Sequence, residues 1–152
     1  MQHVKIPTIE EIKAFLGDYG WHYRESTPND GKVVILSPYT LEKEKKGVLI
    51  SFRIEGEFVM VSTVGFLKDV PVGNSKDLLD LNDCIKLVKL FVVSSGRAGD
   101  VNAELGFELW DESWSKETFY SFMDMLALGI EETLEKLAVK NIPHETEFVI
   151  YS

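Results

Sequence analysis

Apolar residues stand at successive positions through Phe58-Val59-Met60-Val61 and again at Val64 and Phe66, so a strand there carries large side chains on both faces and needs two covers. Val101 to Leu109 instead alternates apolar and polar residues one for one, the pattern of a strand with one buried and one wet face. A sheet that mixes the two kinds, beneath a single layer of helices, has surplus apolar area on its other face. A second copy of the chain or a client would cover it.

The same patterning predicts the remaining elements. Thr8 and Glu11 have the spacing of a capping box, and Ile9, Ile12, Phe15, Leu16 and Tyr19 follow at helical intervals, which predicts a first helix from about Thr8 to Tyr19. Trp21 to Arg24 reads as a short extended piece, and Thr27-Pro28-Asn29-Asp30-Gly31 as a turn. The apolar run Val33 to Leu36 predicts a strand that stops at Ser37-Pro38, before a charged loop from Leu41 to Lys46. Val48, Ile50, Phe52 and Ile54 then alternate with other residues, and Glu55-Gly56-Glu57 allows a hairpin into one strand spanning Phe58 to Phe66. Val70-Pro71-Val72-Gly73 ends that meander.

Asn74 or Ser75 can cap a second helix reaching about Val88, with Leu78, Leu81, Asn82, Ile85 and Val88 along one face. Leu90 to Val93 and Val101 to Leu109 form a second hairpin around Ser95 to Asp100. Ser115 can cap a long last helix whose stripe runs through Phe119, Phe122, Met123, Leu126, Ile130, Leu134 and Leu137, opposite acidic Asp124, Glu131 and Glu135. Phe148 to Tyr151 closes the chain as a candidate edge strand. The order lacks strand–helix–strand alternation, so the expected class is α+β: an antiparallel β-meander with helices packed on one face, in a single domain over residues 1–152.

Composition narrows the function. With 45% hydrophobic residues the chain is globular, and a net charge of -9 with too few clustered cations disfavours nucleic acid. Cys84 is the sole cysteine, so no internal disulfide forms; with no signal-like or bilayer-length apolar run, a cytoplasmic setting away from the membrane is expected.

Candidate chemistry is sparse. His3, His22 and His144 are scattered without metal-ligand spacing, so neither metal nor cofactor is expected. Cys84 beside the second helix's stripe reads as a packed thiol, and His22 as a residue at a sheet edge. Gly96-Arg97-Ala98-Gly99 joins two strands and lacks the Lys-Ser or Lys-Thr of a phosphate loop. Glu104 and Glu108 are expected on the wet face of their strand. Asn82, inside an apolar stripe, must find a partner or lose about 1–3 kcal/mol, so it is expected to tie a backbone group and fix helix against sheet. Trp110 and Trp114 flank the approach to the last helix, either plugging the core edge or forming a binding rim.

The run Leu78-Leu79-Asp80-Leu81-Asn82, the strand pair after it, the Ser115-initiated helix and Phe15-Leu16 before Gly20-Trp21 resemble the YbjN-like branch of the type III secretion chaperone-like fold, over roughly Ile9 to Leu137. Phe148 to Tyr151 extends beyond that pattern. The resemblance implies a small, acidic, cytoplasmic and often dimeric binder without catalytic residues, linked in general terms to sensory or regulatory functions. No residue identifies an effector. Together these features point to a non-enzymatic, chaperone-like protein-binding or regulatory domain that pairs with itself as a homodimer or holds a client polypeptide. Its candidate contacts are Phe58, Met60, Phe66, Trp110 and Trp114. The alternative is a small-molecule binding or sensing domain with an apolar pocket.

Overall fold

The Thr8 hydroxyl accepts the Glu11 N–H at 3.1 Å and starts α1 (Ile9–Tyr19), which ends where Gly20 takes a left-handed φ of 83°. These residues belong to a computed structural model that describes residues 7–28, 31–41, 46–95, 100–110 and 112–150. Eight strands follow: β1 (Arg24–Ser26), β2 (Val34–Thr40), β3 (Lys46–Glu55), β4 (Phe58–Val64), β5 (Leu67–Pro71), β6 (Lys89–Ser95), β7 (Asp100–Trp110) and β8 (Phe148–Ile150). The short α2 (Ser75–Asp80) lies between β5 and β6, and α3 (Lys116–Val139) between β7 and β8. Ser115 caps α3 by accepting the Thr118 N–H.

All pairings are antiparallel, in the order β1-β2-β3-β4-β7, with the α+β architecture the sequence predicts. β5 and β6 both pair with the first half of β7, so they lie on its opposite flanks. That makes β6 an edge strand. On one face, Val48, Ile50, Phe52, Val59, Val61, Leu105 and Leu109 meet Ile12 and Leu16 of α1 and Phe119, Met123, Leu126 and Ile130 of α3, all buried. No helix of the described residues is long and apolar enough to cross a membrane.

The predicted single strand from Phe58 to Phe66 is in fact two. Gly65 takes φ 67°, β4 ends at Val64, and the chain resumes beside β7 as β5. Glu104 of β7 holds this kink. Its carboxylate accepts the Thr63 hydroxyl at 2.9 Å and the main-chain N–H groups of Gly65 and Phe66 at 2.9 and 2.8 Å. The Thr63 hydroxyl in turn accepts the Leu105 N–H at 3.0 Å. Glu104 was expected in solvent; the chain folds over it and half-buries it. Burial pushes its pKa above the ordinary value, with a smaller upward push from Glu147, while the three bonds oppose the rise.

Because β4 leaves β3 at Val64, a slot opens along the start of β3. The chain after α3 fills it. Lys68 and Glu145 exchange two main-chain bonds, Glu147 N–H donates to Gly65 O at 2.8 Å, and β8 pairs with Lys46 to Val48. The closing strand thus pairs with β3, and the residues just before it bond to Gly65 and to the start of β5.

Two other elements differ from expectation. β2 continues through Ser37-Pro38 to Thr40, because the β1 ladder stops opposite Leu36 and leaves Pro38 on an unladdered stretch. There the Ser37 hydroxyl reaches the His22 carbonyl at 2.6 Å instead. The second helix is far shorter than predicted: α2 gives way to a 3-10 turn over Leu81–Asp83. Cys84 is exposed as a result, not packed.

Asn82 sits in that turn. Its amide donates to the Leu90 carbonyl at 3.0 Å and its carbonyl accepts the Leu90 N–H at 2.6 Å. These are the groups that a further strand would take on the free side of β6, so one side chain closes that end of the edge.

Removing these two side chains tests both joints. Glu104→Ala should lower unfolding free energy by about 1–3 kcal/mol, because two N–H groups and a hydroxyl lose their acceptor. For pH the sign is fixed by the raised native pKa. Between the unfolded value near 4.5 and the higher native one, the folded chain retains a proton that the unfolded chain has released. Stability contributed by Glu104 is thus full at low pH and lost as pH rises through that window. Urea titrations across it should show that slope in the parent chain and its absence in Glu104→Gln. Asn82→Ala should likewise cost about 1–3 kcal/mol, with faster amide exchange at Leu90 as the local signature.

Candidate functional site

The strand register lays the helix-free face out in rows. Glu55, Phe58 and Trp110 stand side by side in one row, Arg53, Met60 and Glu108 in the next, and Ser51, Ser62, Gly106 and Lys89 in the third. Phe91 and Glu104 follow. Cross-strand neighbours on one face have β-carbons about 4.5–5.5 Å apart, so each row is a set of touching side chains.

The first row is aromatic. Phe58 and Trp110 meet edge to face with centroids 6.3 Å apart, and they remain 42% and 47% exposed. The third row is small, for a steric reason: a β-carbon on Gly106 would lie 2.3 Å from the Val61 carbonyl oxygen and 2.9 Å from the Ser62 β-carbon. The close approach of β4 and β7 sinks this row into a floor. Met60, Phe91, Val93 and Trp110 rise around it, enclosing a groove of about 370 Å³.

The groove's far end is shaped by Leu87. It is exposed with a left-handed φ of 68°, a backbone state that a bulky residue seldom takes. The turn delays β6 until Lys89, so β7 beyond Gly106 has no neighbour on that flank. Phe107 instead packs on Phe122 of α3, with centroids 5.0 Å apart.

Arg53 and Lys89 project into this groove without an ion pair among the described residues, and Glu108 is the carboxylate that lines it with them. Elsewhere Lys13, Lys32, Lys68, Lys76 and Lys116 are in ion pairs, as in Lys116 with Asp18 at 2.7 Å and Lys68 with Glu147 at 2.6 Å. Those two carboxylates hold the pKa of both lysines up.

Of the five contact residues named from sequence, Phe58, Met60 and Trp110 share this face. Phe66 and Trp114 do not. β4 ends before the kink at Gly65, and Phe66 beyond it is fully buried. Trp114, 2% exposed, stacks with Phe15 at 5.1 Å and Phe119 at 5.6 Å where α1 meets α3, and its indole N–H has no partner. Trp114 thus plugs the core edge while Trp110 forms part of a rim. Sequence reasoning passed over Arg53, Lys89, Phe91 and Gly106, whose shared position depends on the β3–β4–β7–β6 register.

The residues weighed for catalysis are dispersed. His22 lies beside β2, His144 Nδ1 is 3.0 Å from the Ile142 carbonyl, and Cys84 is on the far side of β6 in a shallow recess with Met125 and Leu128. Among the described residues, no three of His, Cys, Asp and Glu are grouped to hold a metal ion. His3 and Gly96-Arg97-Ala98-Gly99 lie outside the described residues.

Neither a family model nor a curated protein sequence matches the chain. Among solved structures, the crystal structure of YbjN from E. coli, described as a proposed transcription regulator, aligns with a TM-score of 0.66 over 95% of this chain and 100% of that one, at 13% identity. At that identity the likeness is one of fold: this chain shares with YbjN an α+β architecture built on an antiparallel sheet with helices.

Proposed function

We propose that the chain is a non-enzymatic binding or regulatory domain that docks a polypeptide on its open sheet face, first of all a second copy of itself. The observation that carries this is the outward row of Phe58 and Trp110 beside Met60, uncovered by any helix. A client polypeptide held in chaperone-like fashion would use the same surface. The exposed single thiol of Cys84 suits a reducing, cytoplasmic setting.

Energetics set the extent of the interface. Fully burying a large apolar side chain contributes about 1.5–3 kcal/mol, and these rings are already half covered. Phe58, Met60 and Trp110 from both copies contribute about 4.5–9 kcal/mol at half those values, which covers only the lower part of an association cost of about 4–15 kcal/mol. The interface must therefore extend across the groove to Phe91 and Val93 on the β6 edge, which are also exposed.

Light scattering coupled to size exclusion at micromolar concentration should give twice the 17.3 kDa chain mass. Phe58→Glu and Trp110→Glu should each return it to the monomer. Both positions are exposed, so melting should move little, within about 0.5 kcal/mol of stability. A parent chain that stays monomeric throughout the micromolar range sinks the homodimer.

A further inference from the structure

We propose that the groove between Met60 and Phe91 binds a small amphipathic anion, an aliphatic or aromatic carboxylate, with its acid group over the Ser62–Gly106 floor between Arg53 and Lys89 and its apolar body against the Met60, Phe91 and Phe122 walls. This goes beyond polypeptide docking and uses the β6 half of the open face.

Charge is the first support. The chain carries 25 acidic against 16 basic side chains, yet this groove is lined by two cations and one carboxylate, and neither cation is paired among the described residues. An unpaired guanidinium offers a planar fork of donors that matches a carboxylate with two parallel bonds. Of the nearby carboxylates on this face, Glu55 is paired with Lys32 and Glu104 is engaged by the Gly65 turn, and acidic groups farther off act weakly here, since exposed charges are screened beyond about 8–10 Å at physiological salt. A single anion therefore meets the local field of Arg53 and Lys89. An extended polyanion would meet the whole acidic surface.

Shape is the second. The volume of about 370 Å³ falls at the small end of the ~300–1,000 Å³ typical of ligand sites, so the occupant is compact. Its floor is glycine and serine because β4 and β7 close on each other at Gly106, while Met60, Phe91, Val93 and Phe122 supply apolar walls. Leu87 holds a costly backbone conformation at the rim, and that turn is what ends β6 and leaves the groove open beside β7.

Calorimetric titration with decanoate, decanol and decyltrimethylammonium tests the assignment. Decanoate should bind saturably at one per chain and about tenfold or more tighter than decyltrimethylammonium, although the net charge of -9 favours the cation. Arg53→Gln should weaken decanoate by about tenfold, Lys89→Gln should weaken it to a smaller degree, and Glu108→Gln should tighten it. Lys140→Gln, at the exposed end of α3, should change nothing. Equal binding of the three amphiphiles, indifference to Arg53→Gln, or no saturable decanoate binding overturns the proposal. Phe58 does not line the groove, so Phe58→Glu separates the two ideas: it should abolish the dimer, and the monomer so formed should still bind decanoate saturably and in an Arg53-dependent way.

Discussion

The carboxylate of Glu104 fixes the path of the meander, and most of the molecule's asymmetry follows from it. Without an acceptor for the Gly65 and Phe66 N–H groups, the turn between β4 and β5 would leave two donors unsatisfied beneath the chain. With it, β4 and β5 can share one flank of β7. Phe66, beyond the kink, is buried in the core cluster, and the slot vacated along β3 becomes the seat of β8. One charged side chain thus decides which aromatic is core and which is surface. Its raised pKa shows that burial outweighs three favourable bonds.

The open face gains its relief from the same crowding. β4 and β7 approach so closely that only glycine fits at 106, and larger residues on either side stand above that point as walls. On a flatter sheet the same residues would form a low apolar patch. The β6 edge is treated differently at its two ends. Asn82 satisfies Leu90 as a strand would, whereas Val92, two residues on and pointing to the same flank, receives no such side chain among the described residues and is exposed. A partner docked as proposed would meet a partly closed edge beside an open face, which favours contact over the face rather than extension of the sheet.

Local signals were legible in the sequence, and signals that depend on distant chain were not. Thr8 and Ser115 were readable as caps because capping chemistry lies within four residues. The strand alternation at Val101 to Leu109 correctly placed Leu105 and Leu109 inside and Glu108 outside. Phe66, Glu104 and Cys84 were misplaced for one common reason: each depends on where a periodic run breaks. A glycine at 65 marks the first break, but the helix break at Leu81 has no glycine or proline to announce it. Pro38 misled in the opposite direction, since a proline is harmless where the neighbouring ladder has already ended. Of the site, the outer residues of β4 were visible as surplus apolar area. Arg53, Gly106 and Lys89 required knowing which residue stands opposite which.

Net charge and local charge pull in different directions, and position settles between them. A chain at -9 repels its own copies over long range, which argues against self-association if the acidic residues are spread evenly. They are not. Asp124, Glu131 and Glu135 lie on α3, across the sheet from the open face, and Glu55 at the end of the aromatic row is paired with Lys32 at 3.1 Å. What faces outward from β3, β4, β7 and β6 is Arg53 and Lys89 against Glu55, Glu104 and Glu108, and of these carboxylates Glu55 is paired with Lys32 and Glu104 is tied to the Gly65 turn, which leaves Glu108 beside the two cations among apolar rings. Screening confines the remote acids to about a Debye length, shorter than the thickness of the domain between α3 and that face. The acidic layer therefore keeps the helical side solvated while the sheet side remains free to approach another surface, and the direction of approach is set by the fold before any partner arrives.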